Sequence, residues 1–148
     1  MTGLFVRASG PAERDRRRQA KAKPGCNVVI RNIDRVPEKP VEMDGARGVR
    51  MAMMVGRADG APNFALRHFR VEPGGHSPRH SHDYEHEVYI VAGSGEVLLE
   101  GAYRRIGQGD VIYVPANSEH QFRAGDEGMR FLCLVPVTRN CGEPTPGS

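Results

Sequence analysis

A chain of 148 residues, 39 % of them hydrophobic, can build one domain around one core with a few tens of residues to spare. Its formal net charge of +3 comes largely from Arg14, Arg16, Arg17, Arg18, Lys21 and Lys23, a run without interleaved aromatics or a following nucleic-acid motif, so it reads as a solvated extension rather than a nucleic-acid contact. The sequence has no apolar run long enough to cross a bilayer, no secretory cleavage pattern in its first ten residues and no CxxC pair among Cys26, Cys133 and Cys141; these features argue against a membrane protein, a disulfide framework and a thiolate zinc site, and a reducing cytoplasm is the expected setting.

In chain order, residues 1–24 form the basic extension, which ends at Pro24 and Gly25. Residues 26–30 are a short β-branched run and a strand candidate, opening an N-terminal arm over 25–40 that Pro37 and Pro40 punctuate. The main domain is expected over 41–138. Its strands are expected at 49–55, at 64–71 before a Pro73-Gly74-Gly75 turn, at 87–91 before Gly93 and Gly95, and at 96–100. Further strands are expected at 103–106, at 111–114 before Pro115, at 121–123 and at 129–137. Residues 139–148, rich in Pro and Gly, form a loose tail. No stretch keeps a helical period beyond a turn or two, and the many short strands predict an all-β sandwich or closed barrel.

Four of the six histidines sit where one metal could gather them. His80 and His82 are two apart, so in an extended strand both imidazoles project from one face. His86 follows at the start of the next extended run, and His120 lies beyond the Pro115 turn. Imidazole suits zinc, iron, nickel and copper. His68 and His76 read as surface or pocket-rim residues.

The spacing around these residues resembles a known pattern. Gly74, five residues, His80-Ser81-His82, three residues, His86, six residues and Gly93 are similar to the first motif of the cupins. Gly109, five residues, Pro115-Ala116-Asn117, two residues, His120, three residues and Ala124 are similar to the second. The likeness covers 74–124, and flanking strands extend it to roughly 41–137. It implies a cupin fold, a double-stranded β-helix or jelly-roll barrel, as found in small bacterial single-domain cupins. It also implies a metal site on His80, His82, His86 and His120. Asn117 replaces a motif glycine, and Asn is the next-best residue for a left-handed turn. His86 stands where most cupins carry a ligand glutamate. Glu87 is its rival, but only His86 keeps six residues before Gly93, and the stretch resembles cupins with a four-histidine site.

Four neutral imidazoles leave a divalent ion its full charge and, if it is octahedral, two adjacent open positions. The cofactor expected is one divalent transition metal, Mn, Fe, Ni, Cu or Zn, with manganese or iron favoured. Strand alternation turns Phe131, Cys133 and Val135 inward with His86, Val88 and Ile90, and leaves Glu87, Tyr89 and Arg130 outward. Cys133, Phe122, Phe131 and Ile112 are thus the pocket candidates, suited to a small, mainly apolar ligand that offers oxygen to the metal. The function expected is a metal-dependent oxygenase acting on such a molecule. The alternatives are a non-catalytic small-molecule sensor and a sugar-type isomerase, for which no inward proton-shuttling pair is evident. A homodimer is expected, because Leu132 and Leu134 need cover and the arm at 25–40 could reach a second subunit.

Overall fold

The computed structural model describes residues 28–138. The basic run, Cys26, Cys141 and the C-terminal tail lie outside them. Seven strands form one antiparallel sheet: β1 (Lys39–Pro40), β2 (Arg47–Val55), β3 (Phe64–His76), β4 (His86–Leu99), β5 (Ala102–Gly107), β6 (Val111–Val114) and β7 (Gln121–Pro136). The strand order is β1-β2-β3-β7-β4-β5, with β6 also on β4. Val49 of β2 and Ile106 of β5, near opposite ends of that order, belong to one buried cluster with Val71, Val88, Ile112, Phe131 and Val135. A flat sheet could not bring them together; it is rolled around its own apolar face, as a jelly-roll barrel requires. No helix among the described residues is long and apolar enough to span a membrane, and the one short helix is a 3-10 turn at Arg57–Asp59.

Glycines expected to end strands instead bend them. Residues 87–91 and 96–99 belong to a single strand, β4, whose pairing with β7 shifts register between Ile90 and Ala92 and again between Gly93 and Gly95, and residue 100 already lies in the following turn. A Cβ on Gly93 would lie 2.1 Å from the Gly128 carbonyl oxygen, and one on Gly95 2.0 Å from that of Arg123. These glycines let two backbones cross at contact distance. In the same way 121–123 and 129–136 fuse into β7, with residue 137 in the turn beyond it. The Pro73-Gly74-Gly75 turn proves to be a bulge inside β3, with shifted pairing between Val71 and His76.

The N-terminal segment corrects three expectations. Residues 28–30 form no strand, and Val28 and Ile30 are 90 % and 96 % exposed. Residues 31–40, rather than reaching away, are fastened to the outside of their own barrel. Arg31 pairs with Asp59 at 2.6 Å, Asp34 with Arg130 at 2.6 Å, and Glu38 with Arg70 at 3.0 Å. His68, expected at the surface, is completely buried beneath this segment. Alternation does turn it to the outer face of β3, but the segment covers that face. There His68 Nε2 accepts from Arg130 Nε at 3.3 Å, and Nδ1 faces Glu38 at 3.5 Å. Arg130 likewise finds its partners within the chain.

Candidate metal centre

Two turns bring distant histidines together. The backbone of His80 exchanges hydrogen bonds with that of His120 (3.2 and 2.9 Å), forming an isolated bridge. Beside it the Ser77 N–H donates to the Phe122 carbonyl at 2.8 Å, while the Phe122 N–H donates to Ser77 Oγ at 2.9 Å. Asn117 adopts the left-handed conformation (φ 64°) that its place in the motif demands, and its N–H donates to the His82 carbonyl at 2.6 Å. Contrary to expectation, His80 and His82 do not share a sheet strand; they lie on a loop pinned against the turn that carries His120. His86 opens β4, buried, in register with Val114.

The rings converge. Centroids lie 5.3 Å apart for His80 and His82, 4.7 Å for His80 and His120, 4.5 Å for His82 and His86, and 5.0 Å for His86 and His120. The nitrogens of His80, His82 and His120 all fall within 4.8 Å of one another and could hold a metal ion. His86 joins through His82, with their Nε2 atoms 2.8 Å apart. Glu87, its rival, projects outward opposite Tyr113 and Leu134 and is exposed.

Ring partners fix the tautomers of His82 and His120. The Nδ1–H of His82 donates to the Tyr84 carbonyl at 2.8 Å and that of His120 to the Ser118 carbonyl at 2.9 Å, because a carbonyl can only accept. His86 Nδ1 lies 3.4 Å from Cys133 Sγ. The one thiol proton has two acceptors in reach, the Leu134 carbonyl at 3.8 Å and His86 Nδ1, and the sulfur accepts from Arg67 Nη2 at 3.2 Å. His82 thus turns a proton-free Nε2 toward His86 Nε2, which can donate to it in one tautomer of His86 and can join it in holding a cation in the other. The donor set fits a metal: His82 and His120 each donate Nδ1–H to a carbonyl behind the ring, which leaves Nε2 free to ligate as in metal-bound histidines.

Burial is the first cause of depressed proton affinity in every one of these rings: His80 falls to about 4 and His86 to about 2, and His82 and His120 are lowered as well. For His86 the positive charge of Arg67 is the second cause. Burial pushes the Cys133 thiol up, so it stays protonated. Phe122 and Phe131 stack at 5.0 Å, Phe69 stacks on Phe131 at 5.0 Å, and Phe122 reaches His120 edge-on at 6.5 Å. Ile112 is buried opposite Val88.

Arg67 and Tyr84 stand outside the set expected from sequence. Tyr84 stacks on His82 with centroids 3.7 Å apart. Arg67 is 5 % exposed and occupies an inward position in β3, in the phase of Ala65, Phe69 and Val71 and opposite Cys133. An arginine in the apolar phase of a strand is the signal that marks it; no comparable signal marks Tyr84.

The Cupin_2 cupin-domain family matches residues 67–135. A solved cupin-2 domain of Rhodospirillum rubrum is 31 % identical, covering 84 % of this chain and 78 % of that one, with a TM-score of 0.63. The solved polyketide cyclase RemF of Streptomyces resistomycificus is also 31 % identical, covering 75 % and 80 %, with a TM-score of 0.71. The 1-methylthio-D-xylulose 5-phosphate methylsulfurylase of Rhodospirillum rubrum is 41 % identical over 76 residues, 51 % of this chain and 49 % of that protein. The chain thus spans about half the length of this curated relative. Rolled sheet, motif spacing and relatives agree, and the chain belongs to the cupin family.

The depressed histidines set a direction for acid stability. In the unfolded chain they take up protons near pH 6.5, whereas the folded rings stay neutral to lower pH, His80 to about 4. Acidification through that window therefore favours unfolding. The melting temperature of the metal-free chain is expected to fall steadily from pH 7 to pH 4.5, and a flat calorimetric profile would contradict the burial of these rings.

Proposed function

We propose that the chain is a metal-dependent enzyme that binds one divalent transition metal on His80, His82, His86 and His120 and acts on a small organic molecule inside the barrel. The observation that carries this reading is the convergence of the four rings, with ligand nitrogens of His80, His82 and His120 within 4.8 Å of one another and His82 Nε2 at 2.8 Å from His86 Nε2. When bound, the metal supplies Lewis acidity toward a ligand oxygen and a place where water or dioxygen can bind. The chain's own residues hold the rings: the Tyr84 and Ser118 carbonyls fix the tautomers of His82 and His120, Cys133 Sγ lies against His86 Nδ1, and the phenyl row of Phe69, Phe131 and Phe122 keeps that wall dry. Manganese or iron remains the favoured ion within a series from Mn to Zn that imidazole donors accept to different degrees.

Two relatives shape the choice of reaction. One is named a methylsulfurylase for a phosphorylated substrate and the other a polyketide cyclase. Neither name is that of an oxygenase, which favours activation of the substrate by the metal over activation of dioxygen. Metal-loaded protein should be incubated with phenols, diketones and phosphorylated ketoses under argon and under air. Equal turnover in both supports the Lewis-acid reading, turnover in air alone supports the oxygenase, and tight binding without turnover supports the non-catalytic sensor.

The ligand set has its own test. His86→Ala is expected to lower metal content per chain at least tenfold in protein made without a histidine tag. Glu87→Ala should leave it unchanged. The opposite pattern in elemental analysis would replace His86 by Glu87.

A homodimer is proposed as well. Tyr89, Val111 and Tyr113 are 45 %, 75 % and 60 % exposed and lie together on the outer face, where Tyr89 is in register with both Val111 and half-buried Leu132. Such a face is a candidate for isologous pairing. Sedimentation at micromolar concentration is expected to give twice the chain mass, and Tyr113→Glu to give the monomer. A monomeric wild-type chain would remove this proposal.

A further inference from the structure

Three of the four candidate ligands are held by backbone pairing. His80 and His120 exchange backbone hydrogen bonds across their bridge, and His86 opens β4 in register with Val114. His82 differs, because residues 81–85 belong to no strand. Its carbonyl accepts from the Asn117 N–H at 2.6 Å, and its ring donates Nδ1–H to the Tyr84 carbonyl at 2.8 Å. One hydrogen bond sets where Nδ1 lies but leaves the plane of the ring free to swing about that bond.

The side chain of Tyr84 supplies the missing restraint. Its ring lies flat on His82, with 3.7 Å between centroids and 6° between planes, a separation at which the two faces are in full contact. The same ring stands perpendicular to His86, at 87° and 5.6 Å, and the His82 and His86 rings are themselves 88° apart. Tyr84 packs in turn against the buried cluster of the barrel. One phenol ring thus passes the orientation of the core to the candidate ligand that no strand or bridge holds. The pairing also has a chemical direction. Two electron-rich faces in full overlap gain little, since each presents the negative side of its quadrupole. An imidazole that gives its lone pair to a cation loses electron density, and the negative face of a phenol then attracts it. Overlap of this kind suits a metal-bound ring better than an empty one.

We propose that Tyr84 is a positioning residue of the metal centre, whose ring face fixes the plane of His82 and keeps Nε2 of that histidine directed into the site. This deepens the reading above and rests on it in taking His82 as a ligand. The backbone carbonyl at position 84 survives substitution, so a change of side chain removes the stack and leaves the hydrogen bond to Nδ1 in place. A histidine side chain has about six staggered orientations, of which one serves the site. Apparent affinity falls with the fraction of chains in the competent orientation, so loss of the stack is expected to weaken metal binding by about fivefold.

Two measurements test this without an enzymatic assay. In the metal-free protein, proton NMR should find the ring protons of His82, assigned through His82→Gln, displaced upfield by the ring current of residue 84. That displacement is expected in the wild type and in Tyr84→Phe and should vanish in Tyr84→Leu. Cobalt(II) is then titrated in and followed by its visible absorption. Tyr84→Phe should bind it as tightly as the wild type and with the same bands, whereas Tyr84→Leu should bind it about fivefold more weakly and with shifted bands. Should Tyr84→Leu fail to fold, Tyr84→Ala takes its place, and the wild-type NMR spectrum still decides whether the rings stack. His82 protons at ordinary positions in the wild type, or unchanged cobalt affinity and bands in Tyr84→Leu, would overturn the inference. So would Tyr84→Phe behaving as Tyr84→Leu does, because the hydroxyl and not the ring face would then be the active part. A lower melting temperature with both other readouts unmoved would reduce Tyr84 to a packing residue and overturn it too. A wild type that takes up no cobalt, or His82→Gln binding cobalt as well as the wild type, refutes the ligand reading instead; the ring-current measurement then decides by itself whether Tyr84 sets the plane of His82.

Discussion

Strand β7 hydrogen-bonds to β3 along one edge and to β4 along the other. That double pairing puts Cys133 in register with Arg67 on β3 and with Val88 on β4, two residues beyond His86. It likewise sets Phe131 opposite Phe69 and Ile90. Because side chains alternate strictly along a strand, a slip of one residue would turn the whole inward set to the outside. The bulges at Gly93 and Gly95 absorb the curvature that rolling demands, and at both places the backbones approach so closely that a side chain has no room. The same strand follows directly on His120, so the register that packs the core also places a candidate ligand.

Around the histidines the controlling quantity is desolvation. Burial keeps the rings neutral well below their ordinary range, which leaves their lone pairs available at neutral pH. Their partners, two carbonyls and one thiol, bring no formal negative charge. Cys133 lies between His86 and Arg67, accepting from the guanidinium and touching His86 Nδ1. A serine there would accept in a similar way but would bring a smaller, harder atom and a stronger donor into an apolar wall. The thiol thus ends a chain of contacts that starts at a buried cation and reaches a candidate metal ligand.

The outer face of the same strands carries a second polar arrangement of different character. Glu38 meets Arg70, Arg50 and His68, while Arg130 bridges His68 and Asp34. Burial and the neighbouring arginine keep His68 below its usual proton affinity. These contacts hold residues 31–40 on the barrel and explain how a histidine on an outward strand position comes to be covered completely.

The sequence by itself determined the fold family and four histidines to watch, since two motifs with fixed spacings and a near-continuous series of β-branched runs are local signals. It also determined which way His86, Cys133 and Phe131 point, because a period of two is geometry and needs no partner strand. Only the tertiary structure decided that glycines at 93 and 95 bend a strand instead of ending it. A glycine in a turn and one at a close crossing look alike until the crossing backbone is present. Only the tertiary structure, too, covered His68 with a segment thirty residues upstream and laid Arg67 beside Cys133, sixty-six residues away. Burial of a charge depends on what the rest of the chain places over it, and no local pattern contains that.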